Sequence, residues 1–151
     1  MIQRWQTVFL LLALIGTIVC MCLPLGSIEL KGMGVGPVLY NLALVNADGT
    51  ADFSYCLLLL FLGISGILSL ITIFLFKNRK LQMRLCRLNL LAVLLWYAVF
   101  AYFVLIGAKD LGGFHQSFGA YLPFISAIMQ WFAHRYIAAD EKLVKSMDRI
   151  R

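Results

Sequence analysis

Lys77-Asn78-Arg79-Lys80-Leu81-Gln82-Met83-Arg84-Leu85-Cys86-Arg87 sets five cations in eleven residues between two runs, Phe53–Phe76 and Leu88–Ala108, that carry no charged side chain. Two more uncharged runs, Trp5–Ile28 and Leu111–His134, lie further out along the chain. Each run is long enough to supply the roughly 20 apolar residues with which a helix crosses about 30 Å of hydrocarbon. Composition points the same way. The 151 residues are 62% hydrophobic and 13% charged, whereas soluble domains are about 25% charged.

The sequence therefore predicts an all-α, polytopic membrane protein, with four transmembrane helices in an antiparallel bundle and residues 1–151 forming one domain. The expected spans are Val8–Leu25, Tyr55–Phe76, Leu88–Ile106 and Phe118–Ile137, followed by a tail over 138–151. Lys and Arg near span ends stay on the cytoplasmic side. A four-span reading puts Arg4, Lys77, Arg79, Lys80, Arg84, Arg87, Arg135, Lys142, Lys145, Arg149 and Arg151 on one side. Only Lys31 and Lys109 fall on the other. Both termini and the Lys77–Arg87 loop are thus expected to be cytoplasmic. Three or five spans would scatter the cations over both faces. Cys-Met-Cys-Leu-Pro-Leu-Gly after Val19 offers no small-residue cleavage pair, so the first span is expected to be retained rather than removed as a signal peptide.

Within the outward segment Gly26–Ser54, Ser27–Lys31 alternates, glycines cluster at Gly32, Gly34 and Gly36, and Asn46-Ala47-Asp48-Gly49 has turn chemistry. This pattern suggests a small β-hairpin over the outer mouth of the helices; an irregular interfacial segment is the competing reading. Pro123, with Gly112, Gly113 and Gly119 upstream, marks a kink or the start of the fourth helix.

Polar residues inside the spans are few and mild. Ser65, Ser69 and Thr72 recur at i, i+4 and i+7, and with Gly63 and Gly66 they form a thin stripe suited to close helix packing. Gln130 is expected to make an interhelical hydrogen bond. A permeation pathway would call for ionisable residues near mid-membrane, and none is found at that depth. The two histidines, His115 and His134, stand in no metal-binding spacing, and Asp110 is the carboxylate nearest His115 in sequence. Cys20 or Cys22 could reach Cys56 on an oxidising face, but free thiols that pack as small hydrophobes are the favoured reading. No catalytic or cofactor-binding motif is present, and an enzymatic role is not expected.

The cytoplasmic surface is better defined. Lys77, Arg79, Lys80, Arg84, Arg87, Lys142, Lys145, Arg149 and Arg151 are candidate contacts for anionic lipid or for a protein partner, each cation being worth about 1 kcal/mol beside an anionic leaflet. In the tail, Glu141 and Lys145 are an i,i+4 pair, and Leu143, Met147 and Ile150 form an apolar stripe. The tail is therefore expected to be an amphipathic helix, continuing the fourth or lying on the surface. Nucleic acid is excluded as a partner, since the orientation rule already accounts for the inward positive charge.

Met1-Ile2-Gln3-Arg4-Trp5-Gln6-Thr7-Val8, Lys77–Leu85 and the closing Asp140-Glu141-Lys142-Leu143-Val144-Lys145-Ser146-Met147-Asp148-Arg149-Ile150-Arg151 together resemble a domain-of-unknown-function family of small four-span membrane proteins from the Bacteroidetes lineage. The resemblance covers the full length. It implies a bacterial inner membrane and carries no assigned activity. The expected function is a non-enzymatic scaffold, assembly factor or accessory subunit, acting beside a membrane-protein partner or a second copy. The alternatives are a small transporter or channel formed by several copies along the Ser65, Ser69, Thr72 and Gln130 faces, and a lipid-modifying enzyme.

Overall fold

The computed structural model describes residues 3–30, 36–75, 78–107 and 112–148. The chain is mostly helical, with long helices α1 (Gln3–Cys22), α2 (Cys56–Phe74), α3 (Arg79–Tyr102) and α4 (Leu122–Asp148). Three stretches, Trp5–Cys22, Phe53–Phe74 and Arg79–Ile106, are long and apolar enough to cross a membrane.

Helix limits differ from the expected spans for local reasons. Helix α1 stops at Cys22 because Pro24 has no N–H to donate and forces its predecessor out of helical geometry. A 3₁₀ turn, Phe53–Tyr55, leads into α2. Asp52 caps that turn, its Oδ1 accepting from the Ser54 hydroxyl at 2.7 Å and the Ser54 N–H at 3.0 Å. These bonds hold the Asp52 carboxyl below the usual carboxylate range. The basic stretch expected as a loop is the first two turns of α3, which begins at Arg79 rather than Leu88. Arg, Lys, Leu, Gln and Met are all good helix formers, and the Asn78 side chain accepts from Leu81 N–H at 3.4 Å as the N-cap. The connection from α2 to α3 is correspondingly short. Helix α3 ends in a π-helical turn, Phe103–Gly107.

Pro123 starts α4 rather than kinking it, since α4 begins at Leu122 after a 3₁₀ turn, Phe118–Tyr121. In the first helical turn the missing N–H has no intrahelical partner to lose. A β-carbon at Gly119 would lie 2.3 Å from the Pro24 carbonyl oxygen, so the close crossing of these two segments requires glycine. Helix α4 then runs 27 residues without interruption, past Ile137. The described part of the tail is thus a continuation of α4. Arg149, Ile150 and Arg151 lie outside the described residues, as does Lys77.

Five short strands form one antiparallel sheet: β1 (Gly26–Leu30), β2 (Val38–Leu39), β3 (Leu44–Val45), β4 (Ala51–Asp52) and β5 (Gly112–Gln116), in the order β4-β3-β2-β1-β5. It is larger than the expected hairpin. Strand β5 comes from the segment between α3 and α4 and pairs along the whole of β1, from Gly26 with Gln116 to Leu30 with Gly112. Between β3 and β4, Gly49 takes a φ of 77°, a left-handed turn position open to glycine.

The helices pack in a ring, α1 on α2, α2 on α3, α3 on α4 and α4 on α1. Under the sheet, Ile28, Leu39 and Leu44 pack with Cys20, Leu58, Leu62, Trp96 and Phe100. At the far end Leu10, Cys86, Ala133 and Ile137 form a second cluster, with Ile73 and Met83 against it. The sheet therefore caps the C-terminal ends of α1 and α3 and the N-terminal ends of α2 and α4, and the helices alternate in direction.

Candidate functional site

Between the two apolar clusters lies a layer of hydrogen-bonded polar side chains, built on the buried face of α2. Leu58, Leu62, Ser65, Ser69 and Thr72 alternate by four and three residues, which keeps them on one side of the helix. Asn89 of α3 faces this line. Its Nδ2 donates to Ser69 Oγ at 2.7 Å and to the Ser65 carbonyl at 3.1 Å, while the Ser65 hydroxyl donates to Asn89 Oδ1 at 2.5 Å. Gln130 of α4 reaches across the ring, its Nε2 donating to Ser69 Oγ at 3.1 Å. One turn further along the same seam, Gln82 Nε2 donates to the Thr72 carbonyl at 3.1 Å. Ser126 Oγ, Gln130 Oε1 and Gln6 Nε2 are buried without a hydrogen-bond partner among the described residues.

A second polar knot joins the sheet to the helices. Asn41, in the turn between β2 and β3, is 0% exposed. Its Nδ2 donates to the Cys20 carbonyl at 2.7 Å, and its Oδ1 accepts from Trp96 Nε1 at 3.1 Å. Its carbonyl accepts from Leu59 N–H at 3.1 Å. One residue thereby ties α1, α2 and α3 together. Nearby, Tyr97 OH donates to the Ala120 carbonyl at 2.8 Å, and Cys20 Sγ lies 3.3 Å from the Gly119 carbonyl. All four cysteines are free, with Cys20 and Cys86 buried and Cys22 and Cys56 exposed.

At the opposite end the basic residues divide into two sets. Arg79 bonds Asp140 at 3.3 Å, joining the start of α3 to the extension of α4, and Lys145 bonds Glu141 at 3.5 Å one turn away. Arg135 lies over the Trp131 ring, 5.0 Å from its centroid. Lys80, Arg84, Arg87 and Lys142 are exposed, and among the described residues they have no acidic partner.

The residues singled out from sequence are placed as follows. Ser65, Ser69, Thr72 and Gln130 are buried. Gly66 sits in the seam between α1 and α2, where a β-carbon would meet Thr17 Cγ2 at 3.8 Å and Met21 Cε at 3.9 Å. Gly63 is different: nothing lies within 4 Å of the position its β-carbon would take, so it makes no close helix contact. His115 pairs with Glu29 across the β1–β5 register, 3.3 Å away; Asp110 lies outside the described residues. Asn89, Asn41 and Asp140, three of the central connectors, are not among the residues that the sequence pattern marks. Asn89 nonetheless has a legible signal, a lone carboxamide at the head of an apolar run, and so does Asn41, the one carboxamide within the run Val38–Val45; Asp140 sits beside Glu141 and Lys142 and has none.

A cavity of about 10 Å³ lies under the sheet, lined by Ile28, Leu39, Leu44, Tyr55, Phe103, Val104 and Phe114. It has the volume of about one water probe and a wholly apolar chemistry apart from the tyrosine. Among the described residues no three His, Cys, Asp or Glu side chains are grouped to hold a metal. The arrangement is one of joints between helices. No functionally curated protein matches the chain. Residues 2–150, carrying the polar layer, the sheet and both basic segments, match the family model described as a domain of unknown function, DUF4293, and the chain belongs to that family.

Proposed function

We propose that the protein is a four-span integral membrane protein of a bacterial inner membrane, with both termini and the α2–α3 connection cytoplasmic, and that it acts without catalysis as a scaffold, assembly factor or accessory subunit. The observation that carries the membrane reading is an inversion of polarity. Serine, threonine and carboxamide side chains face inward, whereas large apolar side chains face outward on all four helices: Leu11 and Ile15, Leu60 and Ile67, Leu91 and Leu94, Phe124 and Ile128. In lipid there is no penalty for an apolar exterior, and polar side chains are driven to bond one another inside.

Helix α4 shares this inversion, although Gln130, His134 and Arg135 lower its mean hydropathy. Gln130 is inside the ring, and the other two stand near the basic end. Exposed aromatic side chains occur toward both ends, with Trp5, Trp131 and Tyr136 near the basic residues and Tyr102, Phe118 and Tyr121 near the sheet, which fits two interfacial belts. The distribution of cations supports the orientation. Burial of Ser65, Ser69, Thr72 and Gln130 within one chain weighs against a channel lined by them between copies. The accessory role rests on the organised cytoplasmic end, where Arg79 and Asp140 brace a helix that carries exposed cations.

Orientation is tested in intact cells on a background of Cys22→Ser and Cys56→Ser, which removes the exposed thiols. Ala47→Cys is expected to react with a membrane-impermeant maleimide, and Ser146→Cys only after permeabilisation. The reverse pattern would sink the topology. Affinity capture from native membranes, compared with a variant lacking residues after Ala139, tests the accessory role; a retained partner that is lost with the tail is the expected result.

A further inference from the structure

Resting on the membrane reading above, we propose that α3 carries a site for one anionic glycerophospholipid, with its phosphate held by Lys80, Arg84 and Arg87 and an acyl chain lying along Leu88, Leu91 and Leu95. On α3, ion pairing sets these three cations apart from Arg79, and the further exposed cation without an acidic partner, Lys142, stands on α4. Arg79 is committed to Asp140 and Lys145 to Glu141, and Arg135 lies over Trp131. Lys80, Arg84 and Arg87 are exposed, have no acidic partner among the described residues, and recur at i, i+4 and i+7, so they form one stripe.

That stripe runs straight into an apolar one. From Arg84, steps of four, three and four residues lead to Leu88, Leu91 and Leu95, which are 51%, 55% and 52% exposed. At 1.5 Å per residue, Arg84 to Leu95 spans about 16 Å, close to the roughly 15 Å depth of one hydrocarbon leaflet. The face thus matches a phospholipid in both chemistry and length: anion-binding at its cytoplasmic end, apolar through the leaflet. An acidic protein or a free phosphate would use the charged end alone.

The purified full-length protein, in neutral detergent, is titrated with phosphatidylglycerol or phosphatidylcholine, and retained lipid is counted by native mass spectrometry. Wild type is expected to hold one phosphatidylglycerol with a preference of roughly tenfold or more, given the attraction of cations to anionic headgroups. Lys80→Gln/Arg84→Gln/Arg87→Gln should abolish the preference, Arg84→Gln alone should reduce it severalfold, and Arg79→Gln should leave it intact. Melting in detergent without lipid checks that each variant is folded; the single variant decides the matter if the triple one is not. Preference that survives the substitutions overturns the site, as does an equal loss in Arg79→Gln. Displacement of the lipid by millimolar inorganic phosphate would identify an ion site instead and also overturn it. Wild type that resists carbonate extraction from membranes yet shows no preference overturns the lipid site alone; wild type that carbonate releases overturns the membrane reading with it.

Discussion

The seam between α2 and α3 and the seam between α1 and α4 solve the same packing problem with different chemistry. In the first, Asn89 bonds Ser65 and Ser69, and Gln82 bonds the Thr72 carbonyl, so each carboxamide finds a partner. In the second, Gly16 lies against Ser126, Phe9 stacks on Tyr136 with centroids 5.4 Å apart, and Ala133 and Ile137 pack on Leu10. Among the described residues, the three buried polar atoms without partners, on Gln6, Ser126 and Gln130, all belong to α1 and α4. The α2–α3 register is therefore set by directional hydrogen bonds, and the α1–α4 register by shape. Interhelical hydrogen bonds in lipid average well below 2 kcal/mol, so each seam depends on several contacts at once.

The contrast is broken most severely by Asn89→Leu. Ser65 loses its carboxamide partner and Ser69 keeps only Gln130, in a buried site, and unfolding in mixed micelles is expected to show a loss of about 3 kcal/mol. A loss below about 1 kcal/mol would mean that the α2–α3 seam is held by shape as well. Gly16→Ala probes the other seam. Its β-carbon would come within 2.6 Å of Ser126 Oγ, and an overpacking cost of about 1–3 kcal/mol is expected. Adding Ser126→Ala should recover most of that loss, because the clash is with the hydroxyl; an additive double variant would contradict the assigned contact.

Smaller effects sharpen the comparison. Gln130→Leu removes the bond to Ser69 but also an oxygen without a partner, so the two terms offset and the same unfolding assay should register about 1 kcal/mol or less. Ser126→Ala alone should fall within about 0.5 kcal/mol of wild type, or slightly above it, because no bond is lost. A marked destabilisation by Ser126→Ala would show that its hydroxyl has a partner after all.

Hydropathy and charge were enough to read where helices lie, because a run without charge over some twenty residues has few other structures open to it. The stripe of Ser65, Ser69 and Thr72 could be read from spacing, since a single helix fixes which of its residues share a face. Helical continuity was less legible. The basic block before Leu88 was expected as a loop, although its residues are good helix formers and Asn78 supplies a cap.

Partners across space could not be read at all. Strand β5 pairs with β1 although more than eighty residues separate them, and a Gly-Gly-Phe-His-Gln segment has no alternation strong enough to announce a strand. Asp140 looks like any polar residue of a tail, and Asn41 is a lone carboxamide in an apolar run with no partner legible nearby; their roles come from the helices that converge on them. Local sequence determined the helices and their polar faces, because period and hydropathy act within one segment. Only the tertiary structure decided which polar groups meet, because a hydrogen bond depends on the position of a second segment that local pattern does not encode.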